Sequence, residues 1–217
     1  MNNIKDSGNV GTPVDINAVQ TIRRIVLGLL GVLGFVVLLF TDSLWQDEAG
    51  HGFHETIESI GLVLIVVAIV GRTWCSLYIG GRKKQLIVED GPYSICRNPL
   101  YLFSFIGAAG AGAQFGTVTT AALVFTITVV IFTIVTHKEE QFLHDKFGAV
   151  YDAYCARVPR FVPNFALWRS VPTLEIQTSL VTRTFLDACP FLAAFPVAEL
   201  VELLQNQGYL PIYLLVP

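Results

Sequence analysis

Charge is what this chain has least of. Of its 217 residues only 14% are Asp, Glu, Lys or Arg, where roughly 25% is ordinary for a soluble domain, and apolar residues reach 53%. The scarcity is uneven: between Arg97 and Lys138 no charged residue occurs at all. An ordinary soluble enzyme is thereby excluded. The same charge-poor, membrane-type composition excludes a nucleic-acid binder, while the net charge of −3 says little. The four cysteines, Cys75, Cys96, Cys155 and Cys189, form no CxxC pair, so neither a zinc cluster nor a disulfide framework is suggested. A leader-peptide cleavage site is lacking too. Arg23-Arg24 precede an apolar run, but Thr41-Asp42-Ser43-Leu44-Trp45 offers no small-x-small site, which points to a retained transmembrane helix.

What is present is apolar sequence in blocks. The uncharged run 98–136 would measure about 58 Å as one helix, nearly twice a ~30 Å hydrocarbon core. It reads as a hairpin, with crossings at about 100–113 and 117–135 and a turn among Gly107, Gly110, Gly112, Gln114 and Gly116. Two earlier crossings are expected at 25–41 and 57–79, the second requiring Arg72 to snorkel or to face the bundle interior. The loop between them, 42–58, holds five acids and no Lys or Arg. The segment 81–97 carries Arg82, Lys83, Lys84 and Arg97, and the chain after 135 carries Lys138, Lys146, Arg157, Arg160 and Arg169. Four crossings put both basic segments on one side, and the positive-inside rule makes it the cytoplasmic side.

The expected fold is therefore an all-α integral membrane protein. It would have four to five transmembrane helices, a hairpin at about 98–136 and a cytoplasmic C-terminal cofactor-binding segment. Residues 1–20 read as a polar arm, 21–80 as the first two helices, 81–170 as a functional core, and 171–217 as an apolar extension. The extension contains Asp187, Pro190, Pro196, Glu199, Glu202 and Pro211, and reads equally as a fifth crossing, a re-entrant pair or an interfacial helix. Between them, Phe142, Leu143, Phe147, Val150, Tyr151, Tyr154 and Val158 form a helical stripe with a possible break at Gly148, ended by Pro159 and Pro163.

Unusual residues flank the hairpin. Before it stands Gly91-Pro92-Tyr93-Ser94-Ile95-Cys96-Arg97-Asn98-Pro99-Leu100-Tyr101-Leu102. Pro99 suits the first turn of a helix, leaving Arg97 and Asn98 at an N-terminus whose amides and dipole favour an anionic group. By itself this equally describes a positive-inside anchor and an N-cap. After the hairpin comes His137-Lys138-Glu139-Glu140, which alone reads as a solvated helix turn, and then Arg157-Val158-Pro159-Arg160-Phe161. The hairpin returns these segments to one side, where they can form a single pocket. His137, Glu140 and His144 share a helical face, and His51, His54 and Glu55 cluster in the acidic loop; neither set suffices for a metal, and no metal is expected.

In these motifs the chain resembles the isoprenylcysteine carboxyl methyltransferase and phospholipid methyltransferase superfamily of membrane enzymes. That superfamily shows Arg-His-Pro-x-Tyr opening a hairpin, a Glu-Glu pair, then Phe-Gly-x-x-Tyr-x-x-Tyr and Val-Pro-Arg-Phe-x-Pro. Here these are Arg97-Asn98-Pro99-Leu100-Tyr101, Glu139-Glu140, Phe147-Gly148 with Tyr151 and Tyr154, and Val158-Pro159-Arg160-Phe161-Val162-Pro163. Asn98 replaces the His. The resemblance, over about residues 80–165, implies S-adenosylmethionine as donor and a lipophilic or small membrane-partitioning acceptor entering from the bilayer. It implies Tyr93, Asn98, Pro99, Tyr101, Leu102, Glu139 and Tyr154 around the cofactor, and Arg97, Glu140 and Arg157 in catalysis. A carboxylate acceptor needs a cation to orient it, while an amine or thiol must lose a proton, to Glu140 or His144. The implied location is a bacterial or archaeal inner membrane, with the N-terminus and active site cytoplasmic. A sterol-reductase-like NADPH enzyme is the rival resemblance, through Tyr154-Cys155-Ala156-Arg157-Val158-Pro159. A transporter is disfavoured, because no pair of broken helices lines a path.

Overall fold

The computed structural model describes residues 39–44, 51–80 and 86–217, with scattered positions between 21 and 37. The expected arm 1–20, positions 26, 27, 30, 33 and 38 of the crossing 25–41, and Arg82-Lys83-Lys84 lie outside the described residues. Helices dominate. In chain order they are α1 (His51–Ile79), the short α2 (Pro92–Ile95), α3 (Pro99–Ala113), α4 (Val118–Phe147), α5 (Ala149–Arg157), α6 (Thr178–Ala188) and α7 (Ala194–Asn206). Among the described residues, three stretches are long and apolar enough to cross a membrane: Gly52–Ile79, Val118–Phe147 and Thr178–Asn206. The last is α6 and α7 joined by a 3₁₀ segment, Cys189–Ala193, at Pro190.

The helix expected to start at 57 starts at His51, because nothing from 51 onward breaks it: Gly52 is tolerated and the next proline is Pro92. His54, Glu55 and Glu58 are therefore helical residues, and His54 is buried rather than a solvated loop side chain. Arg72 faces inward, donating from Nη1 to Ser104 Oγ on α3.

Helices α1 and α3 share the largest interface in the protein, and its seam is made of small residues. A Cβ on Gly61 would lie 2.8 Å from Gly110 O, and one on Gly110 would lie 2.6 Å from Gly61 O; backbones meet there because neither residue has a side chain. With 15 residues, α3 spans about 22 Å, shorter than the ~30 Å apolar core. The turn to α4 passes through Gly116 (φ 62°). Thr117 then caps α4, its hydroxyl accepting from Thr120 N at 3.2 Å. Helix α4 runs unbroken past the expected end at 135 to Phe147, and Gly148 (φ 53°) separates it from α5. Its apolar side chains Leu123, Phe125, Ile127, Val130 and Ile134 face outward, as lipid-facing positions do.

The undecided C-terminal extension lies along α1. Ala188 packs with buried Ile65 and Ile69, joined by Phe191 and Ala194. It runs from the Gly80 end, where Leu180 lies near Gly80, to the His54 end, where Gln205 Nε2 donates to Leu39 O and Thr41 O at 3.2 and 3.1 Å. One feature departs from an all-α fold: Thr41–Ser43 (β1) pairs in parallel with Leu214–Val216 (β2). Strands this short carry no hydrophobic period long enough to read from the sequence.

Candidate functional site

The end of the bundle formed by the C-terminus of α1, the N-terminus of α3 and the last turns of α4 collects the predicted residues. A backbone strap closes it. Arg97 N donates to Pro159 O at 2.9 Å, Asn98 N to Arg160 O at 3.2 Å, Asn164 N to Ile95 O at 2.9 Å, and Gly91 N to Arg169 O at 2.8 Å. Segment 91–98 and segment 159–169 thus lie side by side. Aromatic contacts fix them to the bundle: Phe161 meets Phe105 of α3 edge-on at 5.4 Å, and Trp168 stacks on Trp74 of α1 at 5.8 Å. From beneath, Tyr151, Tyr154 and Val158 of the expected stripe form a buried cluster with Leu143, Phe147 and Ile87, whereas Val150 points outward.

Asn98 acts differently from a capping residue. Its side chain makes no cap hydrogen bond; Nδ2 donates to Arg160 O at 3.3 Å. Nor is the start of α3 an open anion cradle. The amides of Arg97 and Asn98 serve the strap, and those of Tyr101 and Leu102 both reach Asn98 O at 3.1 Å. Pro99 occupies the first helical position, as its fixed φ and missing N–H favour.

Glu139 is buried, and Tyr101 Oη donates to its Oε2 at 2.8 Å. Glu140 is the hub of the ion pairs. Arg160 grips it with two bonds, Nη2 to Oε2 at 2.6 Å and Nε to Oε1 at 3.2 Å, and Arg97 Nη2 lies 3.5 Å from Oε1. The Arg160 guanidinium also lies 3.2 Å from His137 Nε2. Burial acts to strip Arg97 of its proton, but the Glu140 carboxylate, helped by Cys155 and Tyr151, outweighs it and holds the guanidinium above its usual value. Burial also raises the Tyr93, Tyr151 and Tyr154 phenols, so all three stay neutral donors. Tyr154 uses its proton on Tyr93 O at 2.8 Å.

Arg157 is turned elsewhere. It pairs with Glu89, off the Glu140 cluster, and with Ser94 it lines a cleft of about 200 Å³ completed by Trp168 and Arg169. That cleft is smaller than the ~300 Å³ at the low end of ligand pockets. Of the two arginines around Pro159, the one that joins Arg97 at Glu140 is Arg160, which the motif contains but to which the sequence assigns no role. Its signal was position: after Pro159 the chain turns, so Arg157 and Arg160 cannot share a helical face. Of the weighed metal trio, His137 and Glu140 contact Arg160, while His144 faces Asp152 and Asp145.

Among the described residues, the buried polar atoms without a hydrogen-bond partner at this end include Arg97 Nε and Tyr93 Oη. A guanidinium N–H and a phenol suit a ligand that brings carboxylate and hydroxyl oxygens. Glu139, held by Tyr101 at the same end of the bundle, adds an acidic group.

Comparison with known proteins follows the same lines. The family model described as phospholipid methyltransferase matches residues 57–150, from α1 through the hairpin and Glu139-Glu140 into α5. The nickel-cobalt-cadmium resistance protein NccN of Alcaligenes xylosoxydans xylosoxydans is 32% identical over 209 residues, 96% of each chain. The cobalt-zinc-cadmium resistance protein CzcN of Cupriavidus metallidurans is 33% identical over 181 residues, 82% of each chain. No solved structure matches the chain.

Proposed function

Because the chain belongs to the phospholipid methyltransferase family, we propose that it is an S-adenosylmethionine-dependent membrane methyltransferase working at the Arg97–Glu140 end. The observation that carries this reading is the meeting there of three segments far apart in sequence: Arg97 and Tyr101, Glu139 with Glu140, and Arg160. The cofactor, when bound, supplies an electrophilic methyl group on a sulfonium. The protein's own part is to hold reactants in line and exclude water.

Glu139, buried and oriented by Tyr101, places a negative charge where a cation is to rest. Arg97 and Arg160, already converging on one carboxylate, can orient another, which fits an isoprenylcysteine-like carboxylate acceptor. Glu140 keeps both guanidinium groups in position. Asn98 cannot ionise as a His would, and its bond to Arg160 O makes it a support for the strap. Tyr93, Pro99, Leu102 and Tyr154 shape the wall. The acceptor arrives from the bilayer along the outward apolar face of α4.

Lys138, Lys146, Arg157, Arg160 and Arg169 all lie at this end or in the chain beyond it, and acidic Glu55 and Glu58 lie at the other. That bias supports a cytoplasmic active site, a cytoplasmic N-terminus and a C-terminal extension that crosses back. The relatives come from bacteria and are named for metal resistance, which supports a bacterial inner membrane and a role for the transfer in metal tolerance.

Calorimetry on the detergent-purified chain tests the reading. Binding of S-adenosylmethionine is expected, weakened at least about tenfold in Glu139→Gln and less in Tyr101→Phe, in line with loss of a charged hydrogen-bond partner. No binding to folded protein, or equal binding by Glu139→Gln, overturns it. Transfer of labelled methyl to carboxylate, amine and thiol acceptors then identifies the acceptor class.

A further inference from the structure

At the opposite end of the bundle, roughly 38 Å along α1 from Ile79, a second polar cluster is built from the first turns of α1 and from α7. His54 and Glu58 lie one turn apart on α1, and Glu202 reaches them from α7. His54 Nε2 is 3.2 Å from Glu58 Oε1 and 4.0 Å from Glu202 Oε2, and the three donor atoms all lie within 4.8 Å of one another. We propose that His54, Glu58 and Glu202 form a binding site for a first-row divalent transition-metal ion, on the face of the membrane opposite the methyltransferase site.

Acidic clusters are common on surfaces, but this one is organised around a buried imidazole. His54 is only 5% exposed; among the described residues its Nδ1 has no hydrogen-bond partner, and its Nε2 meets the Glu58 and Glu202 carboxylates alone. An unsatisfied buried imidazole is costly unless something completes it. The ring is seated deliberately. Gly116 lies against it, where a Cβ would come within 1.9 Å of Cε1 and Nδ1, so the ring occupies space that any other residue would fill. Gly116 is itself held by Ser43, whose hydroxyl donates to Gly116 O at 3.3 Å. Glu58 sits where Gln114 Nε2 donates to its backbone carbonyl at 2.9 Å. Nδ1 thus faces the Gly116 backbone, and Nε2 faces the two carboxylates.

Charge favours a cation. Glu199 of α7 adds to the negative field at Glu58, Asp42 faces His54 across β1, and among the described residues no Lys or Arg pairs with Glu58 or Glu202. One imidazole nitrogen with two carboxylates is a mixed set that suits Zn²⁺, Co²⁺ or Ni²⁺ over Ca²⁺ or Mg²⁺, which prefer oxygen alone, and over Cu(I), which prefers sulfur. Donors each about 2.1 Å from a tetrahedral zinc lie about 3.4 Å apart. The His54–Glu58 spacing already matches. Glu202, 31% exposed, stands 4.0 Å from Nε2 and would have to draw in to close the set, with the fourth position left to water.

The test uses the full chain in detergent, purified without a polyhistidine tag and stripped with chelator. Co²⁺ is titrated while its visible d–d absorption is followed, and Zn²⁺ competition gives the affinity. One equivalent per chain is expected. Glu202→Gln and Glu58→Gln should each weaken it by more than about 100-fold, since loss of even an outer-shell partner costs about 10–100-fold. Zn²⁺ should raise the melting temperature of the unsubstituted chain and not that of Glu202→Gln. His54→Ala supports the case if it folds; the partly exposed Glu202 keeps the test decisive if it does not. Absence of bound Co²⁺, or affinity unchanged in Glu202→Gln, overturns the proposal and leaves His54 as a side chain merely wedged between glutamates.

Discussion

Replacing Glu140 by glutamine removes the carboxylate that Arg97 and Arg160 share while keeping its shape. Arg97 and Glu140 are 13% and 14% exposed, so their interaction is only weakly screened, whereas Arg160 is 33% exposed and can turn to water. Breaking a buried pair by removing one partner costs about 3–5 kcal/mol; discounting for the exposed share of Arg160 leaves about 2–4 kcal/mol. Most of that is the cost of an Arg97 guanidinium that keeps its charge and loses its counter-ion. For a chain of this size the melting temperature should fall by roughly 4–16 °C, measured by tryptophan fluorescence in detergent. Arg160→Gln alone should cost less, and the double substitution should cost less than the sum, with a coupling of at least about 1 kcal/mol. Glu140→Gln melting within a degree or two of the parent, or strict additivity with Arg160→Gln, would refute the hub.

Two further outcomes test the packing and the strap. Gly110→Ala should destabilise by about 1–3 kcal/mol through overpacking against the Gly61 backbone, whereas Gly52→Ala, whose Cβ would meet nothing within 4 Å, should be neutral or gain up to about 1 kcal/mol in helix propensity; equal effects in thermal unfolding would count against the seam. Burial pushes the Cys96 thiol up to about 11, against the opposing pull of a backbone hydrogen bond at Asn98 and the Arg97 charge. Its thiolate at pH 8 is therefore about 100-fold scarcer than for an ordinary thiol near 8.5, and mass spectrometry of alkylated protein should show Cys155 and Cys189 modified well before it. Folding holds that proton more tightly, so the linked stability is complete below about pH 8.5 and is lost as pH climbs through about 11. Labelling of Cys96 at the rate of the other two would show the strap to be open.

The hairpin and the meeting of its flanking motifs were legible because they rest on long-range patterns of charge and on proline chemistry. The charge-free stretch 98–136 is too long for one helix across a bilayer, and Pro99 marks where the first arm of the hairpin begins. The choice between Arg157 and Arg160 was not legible. Both follow the same helix, and only the turn at Pro159 decides which guanidinium points at Glu140. His54 was misread for a related reason. Beside acidic residues it looks solvated, and its burial comes from Gly116 and from α7, more than sixty and a hundred residues away. The C-terminal extension stayed ambiguous because its prolines and acids interrupt hydropathy, while the contacts that place it along α1 are made by Ala188, Phe191 and Ala194, residues with no periodic signal.

The strap between segments 91–98 and 159–169 also sets a timetable for biogenesis. Its bonds join residues such as Asn98 and Arg160, or Ser94 and Arg169, separated by 62 and 75 positions. While the ribosome is still making α4, Arg97 has neither Glu140 nor the Pro159 carbonyl. The apolar hairpin therefore enters the bilayer with its charged end unfinished, and that end is completed only after residue 169 has emerged. A chain stopped short of that point would be inserted yet unsealed, its guanidinium groups open to whatever anion the membrane surface offers.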